Sequence, residues 1–71
     1  AKMYAFVGKK EVGKRLTALR GDRPANIVAR ALSITPSALA NYEAGLRIPR
    51  DDVKARIANY YQVPIESIFF A

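Results

Sequence analysis

The 71-residue chain contains neither histidine nor cysteine. That removes the commonest general base and the commonest metal ligand, together with any thiolate site. Ser33 and Ser37 have no histidine to activate them. There is no glycine-rich phosphate loop and no carboxylate cluster spaced for a metal. The residue set therefore argues against catalysis, and it calls for no cofactor. The residues still able to do chemistry do it by hydrogen bonding and by charge. Ser37, Ala38 and Asn41 lie in the run Thr-Pro-Ser-Ala-Leu-Ala-Asn-Tyr-Glu-Ala-Gly from Thr35 to Gly45. All three are small or short and uncharged, which suits close approach to base edges in a DNA major groove. The amide of Asn41 carries the donor and acceptor that pair with adenine N6 and N7.

These residues need a helix to present them, and the run reads as one with both ends marked. Thr35 caps the first free N–H groups, Pro36 fits the first helical position, and Gly45 closes the helix. Leu39 and Tyr42 face inward at helical spacing. Before it, Lys9 to Arg20 forms a first helix whose stripe is Val12, Leu16 and Leu19. Lys9, Lys10, Lys14 and Arg15 sit largely off that stripe, on what reads as a solvated face. Gly21-Asp22 breaks the helix. A second runs from about Pro24 to Leu32, with Ala25, Val28, Ala29 and Leu32 inward and Asn26 and Arg30 outward. Two short helices joined by the Ser33-Ile34 turn make a helix-turn-helix.

After the loop that carries Arg47, a fourth helix starts near Arg50-Asp51-Asp52, with acids in its first turn. Val53, Ile57 and Tyr60 or Tyr61 form its apolar face. Pro64 and Glu66 open a last short helix, and Ile65, Ile68 and Phe69 pack back on the core. The lead-in Met3 to Gly8 alternates weakly. It reads as a short strand, an arm or a disordered segment, and nothing else in the chain offers it a strand partner. The expected fold is all-α: five helices around a central helix-turn-helix, with residues 1–8 as an arm or lead-in and 9–71 as the domain.

Lys and Arg number 12 against 6 Asp and Glu, a net charge of +6. Such a balance suits nucleic acid, or simply a soluble basic surface. Hydrophobic content of 51% argues against disorder. No apolar run is long enough to span a bilayer, so no membrane partner is expected. With no signal-peptide pattern, a cytoplasmic location is expected.

Val28-Ala29, Leu32, Ile34, Leu39, Tyr42-Glu43, Gly45, Arg47 and Pro49 resemble the helix-turn-helix of the phage repressor family, the XRE or Cro/C1 type. Ile57-Ala58, Val63 and Ile65-Glu66-Ser67-Ile68-Phe69 resemble that family's last two helices. The resemblance covers Val12 to Phe69. It implies a lambda-repressor-like five-helix domain that binds double-stranded DNA as a homodimer on an inverted-repeat operator. It also implies a small repressor, bacterial or phage-encoded and nucleoid-associated. By position, Ser37, Ala38 and Asn41 become base contacts. Arg47 falls where the family places a phosphate-contacting basic residue, and Arg50, Asn26, Thr35, Lys54 and one or more of Lys9, Lys10 and Lys14 are further candidates for phosphate. Glu43 takes the place of an acid that pairs with a basic residue at the end of the first helix, here Arg20. The sequence departs from the family at Ala25, where a glutamine is usual, and at Pro36, whose side chain cannot hydrogen-bond a base. It departs again at Asp51 and Lys54, where apolar residues are common. A protein-interaction module of the same fold, antitoxin-like or anti-repressor, is the alternative function. The aromatic end Phe69-Phe70 leaves two readings. Phe70, with Ile65 or Tyr61, forms a weak self-association surface, or both rings complete the monomer.

Overall fold

A computed structural model describes residues 5–71. It contains α1 (Lys9–Arg20), α2 (Ala25–Ala31), α3 (Pro36–Glu43), α4 (Asp51–Tyr61) and α5 (Glu66–Phe69). The fold is all-α. Val12 and Leu16 of α1, Val28 and Ala29 of α2, Leu39 and Tyr42 of α3, Val53 and Ile57 of α4, and Ile68 and Phe69 of α5 meet in one core, with Leu32 from the turn. Fully burying a side chain of this size contributes about 1.5–3 kcal/mol. The helical spacing read from the sequence thus puts each stripe where the others can cover it.

Close packing of α1 on α3 depends on Gly13, which is buried. A Cβ at Gly13 would run into the Glu43 carbonyl and crowd the Tyr42 oxygen. Gly45 approaches Lys10 in the same way, within 3.0 Å of its Cα if a Cβ were added, and its φ of 77° is left-handed. The two glycines let α1 lie directly on the last turn of α3.

Helices α2, α3 and α4 close by one device. Ile34 N–H donates to Ala29 O, Leu46 N–H to Asn41 O, and Val63 N–H to Ala58 O, each reaching back five residues. The residue before each donor is left-handed: Ser33 (φ 58°), Gly45 (φ 77°) and Gln62 (φ 55°). Only one of the three is glycine, the residue that takes this conformation without strain. Relief of left-handed strain is worth about 1–2 kcal/mol, and the added freedom of the unfolded chain returns about 0.5–1 kcal/mol of it. Ser33→Gly is therefore expected to raise stability by up to about 1 kcal/mol. The check is a higher urea midpoint at unchanged slope.

Two expectations about the chain's margins are corrected. The lead-in does find a strand partner. Beyond α5 the chain turns extended at Phe70 (φ −122°, ψ 153°) and pairs with Phe6 in an antiparallel bridge. Val7 N–H donates to Phe69 O at 3.1 Å, and Ala71 N–H donates to Ala5 O at 2.8 Å. Met3 and Tyr4 of the expected lead-in lie outside the described residues. The Phe70 ring stacks on Phe6 with centroids 4.6 Å apart, and Phe69 is buried, so both rings pack within the monomer.

Arg15 is the second correction. It is not a solvated cation. Its Nη1 donates to the carbonyls of Ser67 (3.2 Å), Ile68 (3.3 Å) and Phe70 (2.9 Å), and its Nε pairs with Glu11 at 3.2 Å. The guanidinium satisfies carbonyls left over where the short α5 ends, and it ties that end to α1. Hydrogen bonds to a charged donor are worth about 1.5–3 kcal/mol, and partial exposure here favours the lower part of that range. Arg15→Met is expected to lower stability by about 2 kcal/mol in denaturant melts. A loss no larger than that of Lys14→Met would show that the contacts contribute nothing.

Candidate nucleic-acid interface

Helix α3 begins as its sequence requires. Thr35 is extended (φ −79°, ψ 153°), and its hydroxyl accepts from Ala38 N–H at 3.0 Å, with Pro36 in the first turn. Leu39 and Tyr42 anchor the inner face. Ser37 is exposed and Asn41 half-buried on the outer side, four residues apart. Ala40 and Ala44 are also exposed there. Neither alanine was singled out from the sequence. The available signal was spacing, since Ala44 lies three residues beyond Asn41 and Ala40 three beyond Ser37. The outer face of α3 is thus Ser37, Ala40, Asn41 and Ala44, short and without charge.

Ala38 lies at the edge of this face. It packs partly against the core and lines a cleft of about 320 Å³ between the helix-turn-helix and the start of α4. Thr35, Arg47, Arg50 and Arg56 also border this cleft. Ala38, three residues before Asn41, therefore stands at the flank of the α3 face, on the side of the arginines. Arg47 is exposed in the loop after Gly45. Arg50 is exposed and its Nε lies 3.6 Å from Asp52, an open surface pair of little energetic weight. Arg56 was not foreseen. Its Nη1 donates to Leu32 O at 2.9 Å and its Nη2 to Asp52 at 3.3 Å, bracing the turn of the helix-turn-helix against α4. Asn26 is exposed in the first turn of α2, at the far end from this cleft.

Lys54, expected at the phosphates, does not join the basic rim. Its side chain is only 11% exposed and its ammonium lies against the faces of Phe6 (4.8 Å) and Phe69 (5.4 Å). The departure at this position is resolved by the ring stack. The aliphatic stem takes the place of an apolar residue, and the two π faces attract the charge.

Arg20 and Glu43 meet side by side. Nε donates to Oε2 at 2.8 Å and Nη2 to Oε1 at 3.0 Å, while Nη1 donates to Arg23 O at 2.8 Å. The hydrogen bond to Glu43, followed by its charge, raises the guanidinium pKa above its ordinary value. The pair joins the end of α1 to the last turn of α3 with the two-point geometry available to arginine and not to lysine. Beside it, Arg23 lies over the rings of Tyr61 (5.4 Å) and Tyr60 (5.9 Å). Burial, then the charge of Glu43, raises the Tyr61 hydroxyl above its usual range.

Among the described residues no group of histidine, cysteine, aspartate or glutamate could hold a metal, and no helix is long and apolar enough to cross a membrane. No curated protein matches the chain. The model of the helix-turn-helix domain family matches residues 11–67. That span takes in α1 from Glu11 onward, α2 to α4 and the first residues of α5, including the α2-turn-α3 unit and all three arginines of the cleft. The second helix of that unit is the capped eight-residue α3, backed by the Gly13 contacts and the Arg20–Glu43 pair. The chain belongs to the helix-turn-helix domain family, a DNA-binding type of domain.

Proposed function

We propose that the protein is a sequence-specific transcriptional regulator of the phage-repressor type that inserts α3 into the major groove of double-stranded DNA. The observation that carries this reading is the contrast between two neighbouring surfaces. The outer face of α3 is short and uncharged, while the adjoining cleft bears Arg47, Arg50 and Arg56. A groove-reading helix needs the first property and the phosphate walls of the groove need the second. In this reading Ser37 and Asn41 contact base edges, with Ala38 at the margin. Arg47, Arg50 and the Thr35 hydroxyl take phosphates on one side of α3, and Asn26 takes one at the start of α2. The domain acts as a homodimer on an inverted repeat, one α3 per half-site. Its action is repression by occupancy, and its location is the cytoplasm.

Selection of bound duplexes from a random pool tests the reading. An enriched inverted repeat with half-sites about one helical turn apart supports it. Enrichment of no sequence, or of an unrepeated site bound by one protein in sedimentation, overturns it. Arg47 supplies a separate test. Each phosphate contact steepens the salt dependence by about 0.9 in log K per log salt. Arg47→Ala is expected to weaken all duplexes alike and to flatten the slope by about that amount. An unchanged slope removes Arg47 from the interface.

A further inference from the structure

Phe6, Val7, Val12, Ile48, Lys54 and Phe69 line a second cleft, of about 200 Å³, away from the outer face of α3. Five of the six side chains are hydrocarbon. The remaining one is Lys54, nine-tenths buried, with its ammonium on the faces of Phe6 and Phe69. Its carboxylate partner is Asp51, fully exposed and 3.7 Å away, beyond direct hydrogen-bond distance. Water screens such a contact, and the lysine keeps N–H donors to offer. The cleft thus sets a mostly buried lysine among apolar walls, its ammonium over two ring faces and, among the described residues, a fully exposed carboxylate as its charged partner. Phe6, at 67% exposure, and Ile48 form a rim of apolar surface that a ligand would cover.

We propose that this cleft binds a small organic monocarboxylate with an apolar body. The carboxylate takes the Lys54 ammonium, and the hydrocarbon part lies against Phe6, Val7, Ile48 and Phe69. A single cation matches a single negative charge, and an apolar wall rejects the remaining charge of a phosphate dianion. The volume, below the usual range for drug-sized ligands, selects a short molecule. None of the six residues takes a base or a phosphate in the proposed DNA complex, and Ile48 alone also borders the arginine cleft.

The test is a titration of the isotopically labelled protein with hexanoate, and separately with hexanamide, at constant ionic strength, followed by amide-resolved NMR. Hexanoate is expected to give saturable shifts in the millimolar range, clustered at Val7, Ile48, Lys54 and Phe69. Hexanamide, which lacks the charge, is expected to bind at least about tenfold more weakly, as loss of a charge-assisted hydrogen bond requires. Lys54→Arg should retain hexanoate binding and Lys54→Gln should lose it. Should either variant fail to fold, the comparison of acid and amide on the native chain decides alone. Shifts that do not saturate, that scatter over the surface, or that are equal for acid and amide overturn the proposal. So do shifts that follow protein concentration alone, which would make the cleft a seam between copies of the chain.

Discussion

Gly13→Ala is expected to destabilise the domain by about 3 kcal/mol, the upper end of the usual cost of overpacking. In an exposed helix interior the same change would stabilise by about 1 kcal/mol, because glycine is a poor helix former. The sign reverses here because the added Cβ meets the main chain of Glu43 and Tyr42. A flexible side-chain tip could swing aside, but a helix backbone must move as a body. The displaced segment is the last turn of α3, which also carries the Glu43 carboxylate bonded to Arg20. The variant should therefore lose affinity for DNA as well as stability, even at temperatures where it remains folded. Urea melts measure the first effect and salt-matched titrations of duplex measure the second. A midpoint equal to or above that of the native chain would show that α1 and α3 have room to separate.

Asn41→Ala is expected to erase preference at one base pair in each half-site, a loss of about 1–3 kcal/mol in discrimination. Stability should change within about 0.5 kcal/mol, because the side chain lies on the outer face and makes no hydrogen bond among the described residues. Binding to unrelated duplex and its salt slope should stay as they were, since no charge is removed. This combination separates Asn41 from Arg47, whose loss should act on every duplex alike. Binding measured against single-base variants of the selected site provides the check. Retention of every base preference by the variant would move the reading surface to Ser37, or away from α3.

The features read correctly from the sequence are those whose causes are local. Thr35, Pro36 and Gly45 state the limits of α3 within eleven residues, and the structure places its ends within two residues of those signals. The stripes Val12-Leu16 and Val53-Ile57 are periodic signals of the same kind. Other features depend on partners far along the chain. Arg15 looks like any exposed arginine until α5 arrives more than fifty residues later to place three carbonyls against it. Gly13 looks like a weak point in α1, and its reason is a carbonyl thirty residues away. Lys54 carries a charge that argues for the surface, yet its four-carbon stem lets it serve as core once two aromatic rings bracket it. On α3 itself, the inner face was legible because leucine and tyrosine announce burial. The outer face was less so, since alanine has no such signature and Ala38, Ala40 and Ala44 are told apart only by angle around the axis.

The antiparallel bridge between Phe6 and Phe70 has a topological consequence. It holds Ala5 and Ala71 within one hydrogen bond, 2.8 Å from N to O. The described path therefore returns to its own beginning, with residues 5 and 71 side by side. An engineered chain in which a short flexible linker joins residue 71 to residue 5 would close there at little conformational strain. The path could then be reopened at the exposed Gly21-Asp22 turn, so that α2 would lead the chain and α1 would end it. Such a permutant would keep every contact behind α3 while reversing the order in which its supporting helices are made.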